Sequence, residues 1–460
     1  MSSKILFIGI PVFILSLFMI FQGNYETLNN EHLIYIVLII VIGLFPTAIF
    51  LLVRAESDLI PLMPLHGMFY IFSLGIVALS DKMKWIIYDP IIIKDGLILA
   101  VLGLVFLNLG YYLSLRIISN RRRSIRFLDD LSVKRQMLIG WTLYIIYLLF
   151  IIFPSLSSIN TVKHFPSVAM YISLGMLFQL TIKFPSLKVN TFLFILALTF
   201  ILIKEILGGA LIVPVMVGVF LAVIYWKLKG SIPWGFGLLI FLFVIVINPV
   251  KHSYRSLEAY GGIAFKEMSF GKKFSMYSDS FGDFFNNDKG VLTTINNDVS
   301  TVNRIANIPK LVDVVQRTPD EVPYWMGETY LPIFTFFIPR IIWPNKPVEK
   351  IGQEFGHRYG YLDENDRTTS MNLPWIIEMY ANFGKNGIIL GMFFIGVLFR
   401  FLVQKLSVST NNGVEYIVGA SVVIQLFFAS SNFSLMTGGV FMKYIFSLLL
   451  LRILTLRFKI

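Results

Sequence analysis

The 460-residue chain has no cysteine, only five histidines, and a charged fraction of just 14%. Without cysteine there is no disulfide, no thiolate nucleophile and no Cys-ligated metal. The histidines stand at 32, 66, 164, 252 and 357 and form no metal-ligand pair of the H-E-x-x-H kind. G-x-x-x-x-G-K-[ST], G-x-S-x-G and the EF-hand loop are missing as well. These absences argue against ATP-driven transport and metalloenzyme chemistry, and "DEND" at 363–366 reads as a solvated turn.

A soluble chain of this length would carry about a quarter charged residues. Here 56% of residues are hydrophobic and 15% aromatic. Apolar runs near the ~20 residues needed to span a bilayer recur along the whole chain. The sequence therefore predicts an all-α polytopic membrane protein of about twelve transmembrane helices. Runs bounded by charge, Pro and Gly place them near 5–22, 32–53, 61–80, 95–117, 137–154, 167–183, 190–206, 210–226, 232–250, 373–399, 413–430 and 434–455. The first run has no small-residue cleavage site and reads as a spanning helix.

Positive charge concentrates on cytoplasmic loops. With the N-terminus inside, short inner segments hold eighteen Lys and Arg, including Arg121, Arg122, Arg123 and Arg126, whereas short outer loops hold five. Both termini are thus expected in the cytoplasm, and the net charge of +12 is a topology signal rather than a nucleic-acid footprint.

Residues 1–250 then carry nine spans, 251–372 form a large, partly helical outer loop, and 373–460 carry the last three spans. Loops this long usually carry function. Within the loop, 329–347 is expected to be re-entrant or interfacial. Its end, "FFIPRIIWPNKP" (336–347), cannot run as a regular helix through Pro339, Pro344 and Pro347. Irregular backbone at membrane depth needs protein or a wet cavity around it.

Cations cluster on this outer face. His252 and Arg255 follow a span in "NPVKHSYR", Arg340 and Lys346 lie among the prolines, and His357 and Arg358 follow in "GHRYG". Converging arginines and lysines suit a phosphate or diphosphate, gripped by Arg in two-pronged fashion and neutralised by Lys. The bland alternative is interfacial snorkelling. In "LPWIIEMYANFGKNGIILGMFFIGVLF" (373–399), Glu378 falls inside an apolar helix, where an ionisable group reads as a functional site, the bland alternative being a structural strut paired with a neighbouring Arg. Tyr380 and Asn382 accompany it, and Gly384, Gly387, Gly391 and Gly396 offer a face for close packing. Lys443 lies within the last span with no assignable partner, and His66 reads as structural.

"FIPRIIWPNKP" and "TTSMNLPWIIEMYANFGKNGIILGMFFIGVL" together resemble the bacterial Wzy-type polymerases, which join lipid-linked oligosaccharide repeat units and are related to the O-antigen ligases. The resemblance implies a C-type glycosyltransferase-like fold in the bacterial cytoplasmic membrane, with its site facing outward. It implies no cofactor and no metal. The donor would be a growing glycan on undecaprenyl diphosphate, the acceptor a lipid-linked repeat unit, and the partner protein a chain-length regulator. Arg340 and Arg255 would grip the diphosphate, with Lys346, Arg358, His252 and Tyr380 in support. His357 and Glu378 are the candidate bases, and Arg340 also counts among the catalytic residues. Some members carry a His-Asn pair just before the span equivalent to 373–399; here the stretch reads Thr369, Ser370, Met371, Asn372. A ligase with another acceptor is the nearest alternative. A lipid-linked-sugar transporter is a further one, disfavoured because no paired broken helices are evident.

Overall fold

A computed structural model of the chain describes residues 28–53, 58–80, 87–116, 124–153, 165–208, 211–231, 268–286, 306–336, 349–367, 369–408 and 412–458, with isolated positions 56, 118, 155, 338, 343, 345, 346 and 410. Among the described residues all regular structure is helical. The main helices are α1 (Asn30–Leu52), α2 (Leu62–Tyr70), α3 (Pro90–Leu113), α4 (Val133–Ile152), α5 (Phe165–Lys183), α6 (Lys188–Leu207) and α7 (Ile212–Lys229). They continue with α8 (Phe270–Asn286), α9 (Ile308–Arg317), α10 (Ile351–Arg358), α11 (Trp375–Leu406), α12 (Val414–Val423) and α13 (Phe433–Arg457). Nine described helical runs are long and apolar enough to cross a membrane, and Val414–Phe427 is a shorter apolar helix. The described residues are those of a helical, multi-pass membrane protein. The spans expected at 5–22 and 232–250 lie outside the described residues.

Local chemistry explains the helix starts. Asn29 caps α1, accepting from the His32 N–H at 3.0 Å while His32 Nδ1 accepts from the Asn29 N–H at 3.1 Å. His32 Nε2 then donates to the Pro90 carbonyl at 2.9 Å, tying α1 to α3. α3 begins five residues before the sequence boundary at 95. The Asp89 carboxylate caps Ile91 N at 2.7 Å, and Pro90 fills the first helical position, where no amide donor is needed. Beyond Tyr70, α2 widens into a π-helical turn over Ile71–Gly75 and tightens into a 3-10 turn over Ile76–Leu79.

The chain divides into two compact units: Met1–Leu131, Ile146–Ala169 and Ile305–Ile460 form the first, and Ser132–Ile145 with Met170–Arg304 the second. In the second unit, Trp141 Nε1 donates to Asn190 Oδ1 at 3.1 Å and Gln179 to Gln136 at 3.2 Å. Tyr171 packs edge-on against Phe220.

The first unit corrects one sequence reading. The stretch 373–399, expected to cross the membrane once, belongs to a folded-back α11. Phe383 and Gly384 leave helical geometry, Gly384 at φ +59°. In a straight helix Trp375 and Phe399 would stand about 36 Å apart. Their ring centroids are 5.9 Å apart. Ile376 and Ile388 both reach the Gly103 position of α3, and a Cβ on Gly387 would lie 2.1 Å from the Met379 carbonyl oxygen. α11 is therefore a hairpin: a short limb, 375–382, packs antiparallel on a long limb, 385–406. At ~1.5 Å per residue only the long limb has the reach to span. Hydropathy reads both limbs as one run because both are apolar.

Candidate functional site

In the first unit the hairpin lies beneath a cap built from residues 306–336 and 349–367. α9 buries Ile308, Leu311, Val312 and Val314, with Val312 against Gly96 of α3. The Asn307 N–H donates to the Ser73 carbonyl at 2.9 Å. The turn at 325–330 grips the short limb. Trp325 N donates to Ala381 O at 3.0 Å and Gly327 N donates to Asn382 Oδ1 at 2.8 Å. Asn382 Nδ2 in turn donates to Thr329 Oγ1 at 2.9 Å and to Glu378 O at 2.8 Å. Asn382 is completely buried, and its bonds to Gly327 and Thr329 join cap to hairpin.

Glu378 is completely buried on the same limb. The first N–H of α13, from Phe433, donates to Glu378 Oε2 at 2.6 Å, while Oε1 has no hydrogen-bond partner among the described residues. Asn432 donates to Glu349 Oε1 at 2.7 Å, bringing a second carboxylate to this helix start. No basic side chain forms an ion pair with Glu378 among the described residues. Burial lifts the Tyr330 phenol well above its ordinary range, with the Glu378 charge adding to the effect.

Beside Glu378 opens a groove of about 840 Å³. Tyr324, Met326, Tyr330, Ile333 and Phe383 line its head, and Asn386, Gly387, Leu390, Gly391, Phe394 and Leu398 line its length along the long limb. Phe433 joins the groove to the carboxylate, because its ring lines the one and its N–H holds the other. Phe394 and Leu390 are 65% and 59% exposed, so the groove opens sideways onto a spanning surface.

Residues 59–460 match a family described as a domain of unknown function (DUF8712). The chain belongs to that family. No curated protein matches it, and no solved structure does. The DUF8712 match takes in the hairpin, the cap and the groove together.

The sequence-derived candidates fall into three groups. His252, Arg255 and Arg340 lie outside the described residues. Glu378 and Tyr380 share the short limb, Tyr380 packing on Tyr324 with centroids 6.5 Å apart. Lys346, His357 and Arg358 belong to the cap side. Arg358 stacks on Trp325 at 5.0 Å and donates to the Pro323 carbonyl, which makes it a strut of the cap. Lys346 Nζ donates to Ile338 O at 3.3 Å. His357 Nε2 is buried with no partner among the described residues.

Sequence reasoning missed Thr329, Tyr330 and Phe433. It also read Gly387 and Gly391 as a face for another helix, whereas both pack on Met379 of their own hairpin; Gly396 does meet α3. The signal available was "FGKNG", with three turn-favouring residues, Gly384, Asn386 and Gly387, soon after Phe383 in an apolar stretch.

Proposed function

We propose that the protein is a membrane glycosyltransferase that lengthens a glycan carried on undecaprenyl diphosphate, using a lipid-linked repeat unit as acceptor at the outer face of the cytoplasmic membrane. The observation that carries this reading is the side-opening apolar groove with a buried carboxylate at its flank. A long apolar chain needs such a groove, and transfer to a hydroxyl needs a base beside it.

In the transfer, the acceptor O–H bond breaks and its oxygen bonds the donor's anomeric carbon. The bond from that carbon to the diphosphate oxygen breaks, and its electron pair leaves with the diphosphate. Glu378 takes the proton. Its Oε1 is free for this while the Phe433 N–H fixes the other oxygen. Arg340 and Arg255 meet the charge growing on the leaving diphosphate, a role in which each donor strengthens as the bond breaks. The groove supports a lipid-linked substrate of either kind, so polymerase and ligase differ only in the acceptor. The polymerase reading rests on the Arg340- and Glu378-bearing motifs.

The test is reconstitution. Purified protein in lipid vesicles is given lipid-linked repeat units with no nucleotide sugar, and the reaction is repeated in EDTA. Longer glycans under both conditions are expected, together with loss of elongation in Arg340→Ala protein that still inserts and folds. Unchanged repeat units with the wild type overturn the reading. Label crossing the bilayer would make the protein a transporter, and transfer only to a foreign acceptor would make it a ligase.

A further inference from the structure

Five residues between α2 and the short limb of α11 share an unusual property. His66, Tyr70, Ser73, Trp375 and Glu378 are all completely buried. Each also has a side-chain polar atom with no partner among the described residues: His66 Nε2, Tyr70 Oη, Ser73 Oγ, Trp375 Nε1 and Glu378 Oε1. Native proteins leave few such atoms, and each one calls for an account. Five in one strip is far from a random scatter.

The geometry brings the two elements together at His66. His66 and Tyr70 are spaced i, i+4 and share one face of α2, and Ser73 follows in the π-helical turn three residues beyond Tyr70. Trp375 and Glu378, spaced i, i+3, share one face of the short limb. The His66 ring joins the two, with centroids 4.7 Å from Tyr70 and 5.6 Å from Trp375. The π-helical turn begins directly after Tyr70, and such turns frequently mark functional positions.

The protonation pattern fits a hydrogen-bonded file. His66 Nδ1 lies 3.1 Å from the Phe427 carbonyl, which only accepts, so Nδ1 carries the proton and Nε2 presents a lone pair. Trp375 Nε1 is a donor, the Tyr70 and Ser73 hydroxyls are both donor and acceptor, and Glu378 Oε1 ends the row. Bound water satisfies buried polar groups of this kind, with two to four bonds to each molecule.

We propose that this strip is an internal water site, a file of ordered water that carries protons between Glu378 and the His66 end. The proton-carrying role rests on Glu378 being the base of the proposed transfer; the water site does not. Each linkage leaves one proton on Glu378, which must leave before the next. Around that carboxyl stand the Phe433 N–H of α13, Glu349 through Asn432, and Thr329 and Tyr330 of the cap.

Hydroxyl-radical footprinting of the full chain in lipid nanodiscs reads the water directly, because bound water generates the label where it sits. Tyr70 and Trp375 are expected to be oxidised several-fold faster than Tyr416, an equally buried tyrosine whose hydroxyl donates to Leu59 O. Equal protection of Tyr70, Trp375 and Tyr416 overturns the water site. Tyr70→Phe, which removes one hydroxyl and keeps the ring, is expected to slow Trp375 labelling; unchanged labelling breaks the continuity of the file. In elongation assays His66→Phe and Tyr70→Phe are expected to lower kcat about tenfold or more with KM unchanged. Wild-type kcat in both overturns the proton role. A wild-type protein that elongates nothing sinks the transfer reading and that role with it, while footprinting still decides the water site.

Discussion

Two buried carboxylates in the first unit, Glu56 and Glu378, solve the same electrostatic problem differently. Glu56 is 7% exposed and Arg400 is 4% exposed; Arg400 Nη1 meets Glu56 Oε1 at 2.6 Å. Tyr111 adds a hydroxyl at 3.4 Å, and its ring lies 5.2 Å from the guanidinium. Every partner there is a side chain, and opposite charges are matched. Glu378 Oε2 holds the Phe433 backbone N–H, and the Thr329 hydroxyl stands close enough to interact with the carboxylate. Oε1 has no hydrogen-bond partner among the described residues, and a second carboxylate is near by. A matched pair in low dielectric is a strut, because separating it costs too much for it to take part in chemistry. A carboxylate with one oxygen unclaimed, beside a groove, can accept a proton and release it. The contrast separates a structural ion pair from a working group within one bundle.

The largest stability effect is expected from breaking the strut. Arg400→Ala strands Glu56 in a buried site and should cost about 3–5 kcal/mol. Thermal unfolding in detergent or nanodiscs measures it. Replacing both partners, Glu56→Gln with Arg400→Met, should recover most of the loss, since removing both charges leaves none unpaired. A double variant as unstable as Arg400→Ala alone would mean that the guanidinium acts by packing on Tyr111.

The hairpin comes next. Gly387→Val drives a side chain into the Met379 carbonyl and should cost about 1–3 kcal/mol as overpacking. Gly384→Ala must hold an L-residue at φ +59°, about 1–2 kcal/mol, and its Cβ would also lie 2.7 Å from the Tyr324 hydroxyl. If α11 were one straight span, neither substitution would be felt, so wild-type melting of both variants refutes the hairpin.

Glu378→Gln inverts the pattern. Its amide oxygen still accepts from Phe433, so stability should change by only about 1 kcal/mol, the difference between a charged and a neutral acceptor. Elongation should fall by about 10²–10⁴, the usual worth of a general base. A variant that melts early and yet elongates normally would place Glu378 beside Glu56 as a strut.

Much of this was legible in the sequence and some was not, for a consistent reason. Spans with ordinary ends were read to within a few residues: 32–53 against Asn30–Leu52, 434–455 against Phe433–Arg457. Hydropathy and charge are local, and those helices end where local chemistry ends them. The Arg400–Glu56 pair joins positions 344 apart, which no local pattern in the sequence links. Lys443 had no assignable partner and proves to donate to Gln425, in the short 3-10 turn after α12. His66, read as merely structural, lies in the aromatic cluster of Tyr70, Trp375 and Phe399. The hairpin escaped notice because two apolar limbs in sequence look like one. Glu378 was found because a carboxylate in an apolar run is anomalous on its own. The pairing of groups is a property of the fold; the presence of an odd group is a property of the sequence.

The smallest effect is expected at a third carboxylate, Glu31, which shows what exposure does to the same chemistry. Lys94 Nζ meets it at 2.7 Å, nearly the Glu56–Arg400 distance, but the side chains are 38% and 60% exposed. Water and salt screen such a pair, and holding two mobile side chains together costs entropy. Lys94→Ala should therefore leave the melting temperature unchanged within error, with or without added salt. The link between α1 and α3 at this end then rests on the His32–Pro90 hydrogen bond, which is part-buried. If Lys94→Ala lowers the melting temperature by several degrees, and salt shrinks the drop, this end of the unit is held by charge, and burial is the wrong criterion for telling strut from working group.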